Sequence, residues 1–314
     1  MTRQVALWGL PGDEAIDAIR LELTERGMPH FVINQAEVRQ LHLDFDTARG
    51  VSGALHLGTQ RVELAEIGAV LARPGNIRAI ARNGAGALDP ELHRQAVALE
   101  RQLFVWIDVA PMLVLNRPSA AASNGSKPWQ TELLRGRGLE VPATLVTTSP
   151  EAVWEFIREH GQVIYKSVSG HRSIVSRVDA RLFDQIEDVA NCPTQFQAYI
   201  RGTDWRAHVV GNAVYACEIR CEADDYRVAG ERGEAIEFRP GELPEAVSRS
   251  CLDLARHLDL PLAGIDLRQT EAGEWYWLEV NPTPAFTYFE QETGQPLTAA
   301  VAQLLIAACA SEAA

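Results

Sequence analysis

Two strand-like runs near the C-terminus, at 263–267 and 274–281, constrain the fold of this chain more than any other segment. One short turn is enough to join them, which predicts an antiparallel β-hairpin. If residues 272 and 273 form a two-residue turn, Asp266 pairs directly with Glu279. The hairpin would then hold two carboxylates side by side.

One face of this hairpin is predicted to gather oxygen ligands. Strand alternation places four residues on that face: Trp275, Trp277, Glu279 and Asn281. Directly opposed carboxylates repel, so the pair formed with Asp266 requires a compensating cation. Oxygen ligands without Cys or His favour Mg²⁺. The alternative is a solvated face, or two carboxylates that each pair with an arginine, and a register slip of one residue would separate them.

The charge balance limits the partners of the chain. Its 314 residues include 29 Lys plus Arg and 42 Asp plus Glu, so the net charge is −13. This balance argues against nucleic acid or an anionic membrane as the main partner, and an anionic ligand must be held by a few placed cations. The first ten residues are too short for a signal peptide. Five cysteines without a CxxC pair are expected to be reduced thiols of a cytoplasmic protein.

The first third of the chain has the pattern of a βαβ unit. Short apolar runs at 5–8 and 31–33 flank a helical segment at 13–27. A second helix is predicted to begin at Asp89, a capping residue followed by proline, and to lie against the same sheet. These features predict a parallel α/β sheet in residues 1–112.

The rest of the chain divides into a small α+β unit and a set of antiparallel strands. Helical and strand-like segments alternate through 113–194, which predicts a central α+β unit. From 195 to 314 the strands lengthen, beginning with 196–200, and a helix at 245–258 separates two groups of them. The apolar segment 296–310 is too short to span a membrane and is predicted to be a terminal core helix.

Several cations are placed where they could hold an anionic ligand. Lys127 precedes a predicted helix, and Lys166 ends a strand before a loop of small residues. Arg206, Arg220 and Arg227 follow on adjacent strands and a loop, and a planar guanidinium suits phosphate or carboxylate. Neither lysine belongs to a P-loop, because the GxxxxGK[ST] pattern is absent. The alternative for each cation is a surface residue paired with one of the many acids.

Taken in order, these features resemble the ATP-grasp superfamily, and specifically its RimK-type and graspetide (microviridin-type) peptide ligases. The resemblance extends from about residue 111 to 306. It rests on these segments: Lys127, 163–166, 195–200, 202–206, 209–216, 225–227, 264–266 and 278–282. An ordered series is much more specific than any one of its members.

The resemblance implies an ATP-grasp fold with an N-terminal βαβ domain, a central α+β domain and a C-terminal antiparallel sheet. It implies that ATP lies between the last two, with Lys127 and Lys166 at the phosphates and Asp204 near the ribose. Arg206 is a further candidate for the nucleotide. The backbone of one strand end is implied to contact adenine: Gln197, Ala198, Tyr199 and Ile200.

The resemblance also assigns the hairpin residues and two of the arginines. Asp266, Glu279 and Asn281 would hold Mg²⁺, in agreement with the independent argument from the hairpin. Arg220 and Arg227 would lie at the transferred phosphate or the acyl phosphate.

The C-terminal segments narrow the resemblance. Segments 281–286 and 289–296 are similar to those of ligases that crosslink ribosomal peptides, as are 71–74 and 225–227. The implied chemistry transfers the γ-phosphoryl of ATP to a substrate carboxylate, and an amine or hydroxyl of the peptide then attacks the acyl phosphate. The product is a side-chain ester or amide, and no protein nucleophile is required.

Two other functions stay open at this point. One is a RimK-like or glutathione-synthetase-like ligase that adds a free amino acid to a carboxylate. The other is a non-catalytic nucleotide-binding partner protein, against which the intact set of acids, amide and lysines argues. The expected partner is a peptide or a small carboxylate substrate, and a homodimer is the commonest assembly.

Overall fold

The structure is a computed structural model that describes residues 3–48, 50–82, 86–168, 176–178, 185–221, 233 and 235–310. The strands are β1 (Gln4–Gly9), β2 (His30–Asn34), β3 (Leu41–Asp46), β4 (Ser52–Leu57), β5 (Gln60–Glu63), β6 (Ile67–Arg73), β7 (Leu113–Leu115), β8 (Thr144–Thr147), β9 (Val163–Ser167), β10 (Ser176–Arg177), β11 (Thr194–Ala198), β12 (Thr203–Val210), β13 (Ala213–Cys221), β14 (Ile236–Gly241), β15 (Leu262–Gln269) and β16 (Trp275–Asn281). The helices are α1 (Glu14–Glu25), α2 (Ile77–Ile80), α3 (Pro90–Val109), α4 (Pro118–Ala121), α5 (Lys127–Gly136), α6 (Pro150–His160), α7 (Glu245–His257), α8 (Phe286–Thr293) and α9 (Leu297–Ala310).

The N-terminal part is the parallel α/β sheet that the sequence predicts. Its strand order is β2-β1-β6-β7, and every pairing is parallel. The side chain of Asp13 caps α1, and that of Asp89 caps α3, whose Leu103 and Trp106 are buried against the sheet. A separate antiparallel sheet, β3-β4-β5, lies in the connection between β2 and β6. Since β7 belongs to this sheet, the sheet continues past the expected limit at residue 112.

The central sheet has the order β10-β9-β11-β8 and is antiparallel. One of its faces is covered by α6, with Val153, Val163 and Phe196 in the core between them. The strand predicted at 196–200 was expected in the C-terminal unit, and this prediction is wrong. The strand is β11, two residues earlier, and it pairs with β8 and β9 because Phe196 is an apolar residue of the central core. The division of the chain into three domains therefore stays a prediction. In the structure, the last strand of the first sheet ends at 115 and β11 of the central sheet ends at 198.

The C-terminal sheet is antiparallel, in the order β14-β13-β12-β15-β16. One face is buried by α7, whose Val247 and Leu254 contact Ile265 and Leu267 in a common core. The predicted terminal core helix is confirmed as α9, where Leu297 and Leu305 are fully buried in a core shared with β1, β6 and α1. This shared core joins the first sheet to the last. Within the described residues, no helix is both long and apolar enough to cross a membrane.

Candidate active site

The hairpin of β15 and β16 brings the two predicted carboxylates together. Asp266 pairs with Glu279, as predicted, but the turn differs from the one assumed. The Thr270 N–H donates to Glu274 O at 2.9 Å, and residues 271–273 form a three-residue loop in which Gly273 has φ +85°. Between the loop and Leu267 the strand pairing is shifted by one residue from the assumed register. A bulge between Leu267 and Asp266 cancels this shift, so Asp266 still pairs with Glu279.

The bulge also decides which side chains share a face. Leu267 pairs with Trp277, so Trp277 and Val280 both lie in the core beside α7. The prediction that the tryptophans share a face with Glu279 is therefore wrong. The bulge leaves Leu278 without a partner on β15, so Trp277 and Glu279 point to opposite faces. On the other face, pairing and alternation place six polar side chains together: Asp204, Arg206, Asp266, Arg268, Glu279 and Asn281. We call these six residues the polar face.

Asp266 forms an ion pair with Arg206 of the neighbouring strand. The Arg206 Nη1 donates to Asp266 Oδ1 at 2.5 Å, and the Arg206 side chain is only 5% exposed. Gly264 makes room for this guanidinium, because a Cβ at that position would lie 2.6 Å from Arg206 Cζ. The absence of a side chain at Gly264 thus allows the arginine to lie flat over β15 beside its carboxylate.

Glu279 forms an ion pair with Lys127, the first residue of α5. The Ser126 side chain caps this helix, and Gln130 bonds the Val280 N–H at 2.9 Å and the Val280 carbonyl at 2.8 Å. These two bonds fix the helix along the edge of β16. Lys127 is consequently held at the carboxylate with 5% of its side chain exposed.

Each carboxylate of the pair therefore has its own cation. This arrangement is close to the alternative in which each carboxylate pairs with an arginine. The donor set still fits Mg²⁺ by its chemistry, since Asp266, Glu279 and Asn281 offer hard oxygen atoms on one face. The Asn281 Oδ1 accepts from the Thr283 N–H at 2.9 Å, and an amide oxygen has a second lone pair for a metal. No three His, Cys, Asp or Glu side chains come together in the described ranges, so further ligands would come from a nucleotide or from water.

The third charged pair of the polar face joins Asp204 to Arg268. The Arg268 Nε and Nη2 donate to the two carboxylate oxygens of Asp204 at 2.7 and 2.8 Å, a bidentate pair. Arg268 Nη1 also donates to Ile200 O at 3.0 Å. The sequence analysis missed Arg268. Period-two alternation from Asp266 would have found it, because antiparallel pairing brings residue 268 opposite 204 once 266 lies opposite 206.

The predicted adenine segment connects the central sheet to the C-terminal sheet. The Ala198 N–H donates to Ala143 O at 2.9 Å and the Tyr199 N–H to Gln162 O at 2.8 Å. Both amides are engaged, so a base contact through a backbone N–H would fall to Ile200. Gln197 is buried, and its Nε2 donates to Thr144 Oγ1 at 2.9 Å. This bond orients the Gln197 side chain along the sheet.

Lys166 lies on β9, on the face of the central sheet that is turned away from α6. It is buried and pairs with Gln195 of β11. Gln195 is fully buried, and among the described residues neither polar atom of its side-chain amide has a hydrogen-bond partner. A buried amide of this kind is costly unless water or a ligand satisfies it.

The structure places Arg220, one of the two predicted phosphate arginines, away from the polar face. Cys217 pairs with Arg206, so alternation places Arg220 on the opposite face of β13. Arg220 is half exposed, and its Nε donates to Glu218 Oε1 at 2.8 Å. Arg227 lies outside the described residues. The proximity of both arginines to a phosphate stays a prediction.

The buried thiols and histidine near this sheet are uncharged at neutral pH. Burial raises the pKa of the Cys217 thiol to about 11 and that of Cys251 to about 12. Burial, helped by the nearby Arg206 charge, lowers the pKa of His208 well below its usual value. These states agree with a chemistry that uses no protein nucleophile.

Comparison with known proteins places this geometry in a family. A family model described as a RimK-like ATP-grasp domain matches residues 125–305, more than half of the chain. The chain is also similar to a solved structure of the ATP-grasp ligase PsnB complexed with a phosphomimetic variant of a minimal precursor, Mg and ADP. The TM-score is 0.80, the identity is 25%, and the match covers 98% of each chain.

Two further relatives have different substrates in their descriptions. The macrocyclase MdnC from Microcystis aeruginosa MRC, solved with precursor peptide MdnA, matches with a TM-score of 0.79 and 22% identity, over 96% of this chain and 99% of that one. The ribosomal protein bS6–L-glutamate ligase of Escherichia fergusonii is 29% identical over 191 residues, which are 57% of this chain and 63% of that protein. The chain spans about half to two thirds of the length of the curated relatives it matches.

Proposed function

We propose, on the premise that this chain belongs to the RimK-like ATP-grasp family, that it is an ATP-dependent ligase that crosslinks a ribosomal precursor peptide. The reaction would join a side-chain carboxylate of the peptide to an amine or a hydroxyl through an acyl phosphate. The observation that carries the proposal is the similarity to PsnB over 98% of both chains, since it includes the N-terminal α/β part outside the family model.

The polar face supports this chemistry through its charges. ATP and Mg²⁺ are the proposed cofactors, and Mg²⁺ would offset the charge that develops on the transferred phosphoryl group. Asp266, Glu279 and Asn281 are the candidates to hold the metal. Lys127 and Arg206, already seated at these carboxylates, would bind phosphate or acyl phosphate oxygens on the same face.

The RimK-like alternative remains the second candidate function. It is favoured by one observation, the 29% identity to the bS6–L-glutamate ligase through the ATP-grasp region. Both reactions use the same activated carboxylate and differ in the nucleophile. A free amino acid attacks in one case, and a side chain of the same peptide in the other.

The mass of the modified substrate separates these functions. The protein is coexpressed with a candidate precursor peptide, and the intact peptide mass is measured. Loss of one or more waters supports crosslinking, whereas a gain of an amino-acid residue mass supports the RimK-like reaction. An unchanged peptide and no Mg²⁺-dependent ADP formation would support the non-catalytic nucleotide-binding partner instead.

Two variants serve as controls in that experiment. Glu279→Ala removes a candidate metal ligand and is expected to abolish the mass change. Glu237→Ala removes an exposed carboxylate of β14 that pairs with Arg239, and it should leave the product unchanged. Product formation by Glu279→Ala would contradict the assignment of Glu279. A homodimer and a cytoplasmic location also stay predictions, testable by light scattering and by fractionation.

A further inference from the structure

Arg268 occupies the junction between the two sheets that would enclose a nucleotide. Its side chain extends from β15, about 90% buried, and makes the bidentate pair with Asp204 of β12. A third donor, Nη1, bonds the carbonyl of Ile200, in the connection from β11 to β12. One guanidinium therefore ties the connection between the sheets to two strands of the C-terminal sheet.

Tyr199 extends this contact to the central sheet. The Arg268 Cζ lies 5.4 Å from the centre of the Tyr199 ring, and the Arg177 Cζ of β10 lies 4.3 Å from the same centre. Arg177 Nη2 also bonds the Tyr199 hydroxyl at 3.0 Å. We call these three side chains, Arg177, Tyr199 and Arg268, the junction stack. It contains one residue from each sheet and one from the connection between them.

The geometry of Arg268 cannot be reproduced by another cation. A planar guanidinium can donate in parallel to both oxygens of Asp204 and still offer a third N–H to Ile200, whereas a lysine is a point charge on a flexible stem. Two of these contacts end on groups proposed here to meet the nucleotide: Asp204 at the ribose, and the Ile200 backbone at the base. Arg268 itself need not touch either.

We propose that Arg268 is a positioning residue for the nucleotide, which acts by fixing Asp204 and the backbone of Ile200. This inference rests on the proposed function, because it assumes that ATP occupies the cleft between the two sheets. With this inference, β15 carries a positioning residue, Arg268, as well as the candidate metal ligand Asp266. Removing Arg268 should weaken nucleotide binding because the carboxylate of Asp204 and the connection would lose their common partner.

The test uses the full-length protein and unlabelled ADP with Mg²⁺, and binding is measured by isothermal titration calorimetry. Arg268→Gln and Asp204→Asn are each expected to weaken binding about tenfold. If Arg268 acts through Asp204 and Ile200, the double variant loses well under the product of the two single losses, about a hundredfold, because the effects overlap at Asp204. Arg268→Lys is expected to recover only part of the affinity, because a lysine lacks the bidentate geometry.

The controls separate positioning from folding. Arg256→Gln removes an exposed arginine that pairs with Asp253 on α7, and it should bind ADP as the wild type does. If Arg268→Gln does not fold, the double variant carries the test, because it leaves neither charge unpaired. Wild-type affinity in a folded Arg268→Gln or double variant, or multiplying losses, would overturn the inference. Failure of the wild type to bind ADP with Mg²⁺ would overturn the proposed function instead.

Discussion

The two faces of the C-terminal sheet are made by alternate residues of the same strands, yet they have different physical character. On the face beneath α7, Ala207, Val209, Ile265 and Leu267 are almost completely buried and make an apolar core. On the polar face, the intervening residues form ion pairs of low exposure. Burial of apolar surface stabilises a fold directly, whereas the desolvation of a buried ion pair offsets most of its Coulomb attraction. The first face thus provides stability, and the second holds charged groups in fixed positions.

The largest effect is expected on the polar face. Asp266→Asn removes a candidate metal ligand and deprives the buried Arg206 of its carboxylate. ADP formation is expected to fall about a thousandfold, or about 4 kcal/mol of transition-state stabilisation. Steady-state ADP release with the coexpressed peptide measures it. Asp253→Asn removes an exposed carboxylate of α7 and should keep full activity. Equal losses in both variants would remove the distinction between the faces.

On the apolar face, truncation should affect stability first. Ile265→Ala removes a fully buried side chain next to Asp266 and leaves a cavity beneath α7. The free energy of unfolding is expected to fall by about 3 kcal/mol, with nucleotide affinity unchanged in the folded protein. Urea unfolding and calorimetry of ADP binding measure the two quantities. A loss of affinity at wild-type stability would contradict the division of roles.

A glycine allows a direct test of how closely Arg206 lies over β15. Gly264→Ala places a methyl group against the guanidinium, so Arg206 has to move away from Asp266. Such overpacking is expected to cost about 2 kcal/mol of stability and to lower ADP formation. Gly136→Ala is the matched control, because a Cβ at that position meets no atom within 4 Å. Unchanged ADP formation by Gly264→Ala would show that ADP formation does not depend on the position of Arg206.

The smallest expected effect concerns the pH dependence of stability. His208 lies on the same face of β12 as Arg206, with its ring centroid 4.9 Å from that of Phe289, and its lowered pKa keeps it neutral in the folded protein. The unfolded chain protonates this histidine below pH ~6.5, so acidification favours unfolding. Between pH 7.5 and 5.5 the wild type should lose about 1.4 kcal/mol more than His208→Gln. Parallel stability curves for the two proteins would contradict this assignment.

The sequence predicted the carboxylate pair more reliably than it predicted the turn and the faces around it. The pairing of Asp266 with Glu279 is right, although a three-residue loop and a bulge replace the assumed two-residue turn. Strand alternation is a local rule, and it fails across a bulge because one inserted residue reverses the direction of those that follow. The bulge itself depends on a distant contact, since the Trp277 N–H donates to Glu140 O at 2.8 Å.

The remaining differences have a similar origin. β11 belongs to the central sheet because it pairs with residues 27 to 53 positions earlier, which a pattern read along the chain does not show. Arg268 and its bidentate partner follow from pairing across two strands, so they become visible only when the register is known. Local signals were sufficient to place helices, as shown by Asp89, the predicted capping residue whose side chain caps α3.

The most direct test of the central claim is the Mg²⁺ dependence of ADP binding, measured by calorimetry on the wild type and on Glu279→Gln. The claim is that Asp266, Glu279 and Asn281 hold a metal together with a nucleotide on the polar face. Wild-type protein is then expected to bind ADP much more tightly with Mg²⁺ than with EDTA, and Glu279→Gln is expected to lose that difference. Equal affinity of the wild type with and without Mg²⁺, or an unchanged Mg²⁺ effect in Glu279→Gln, would contradict it.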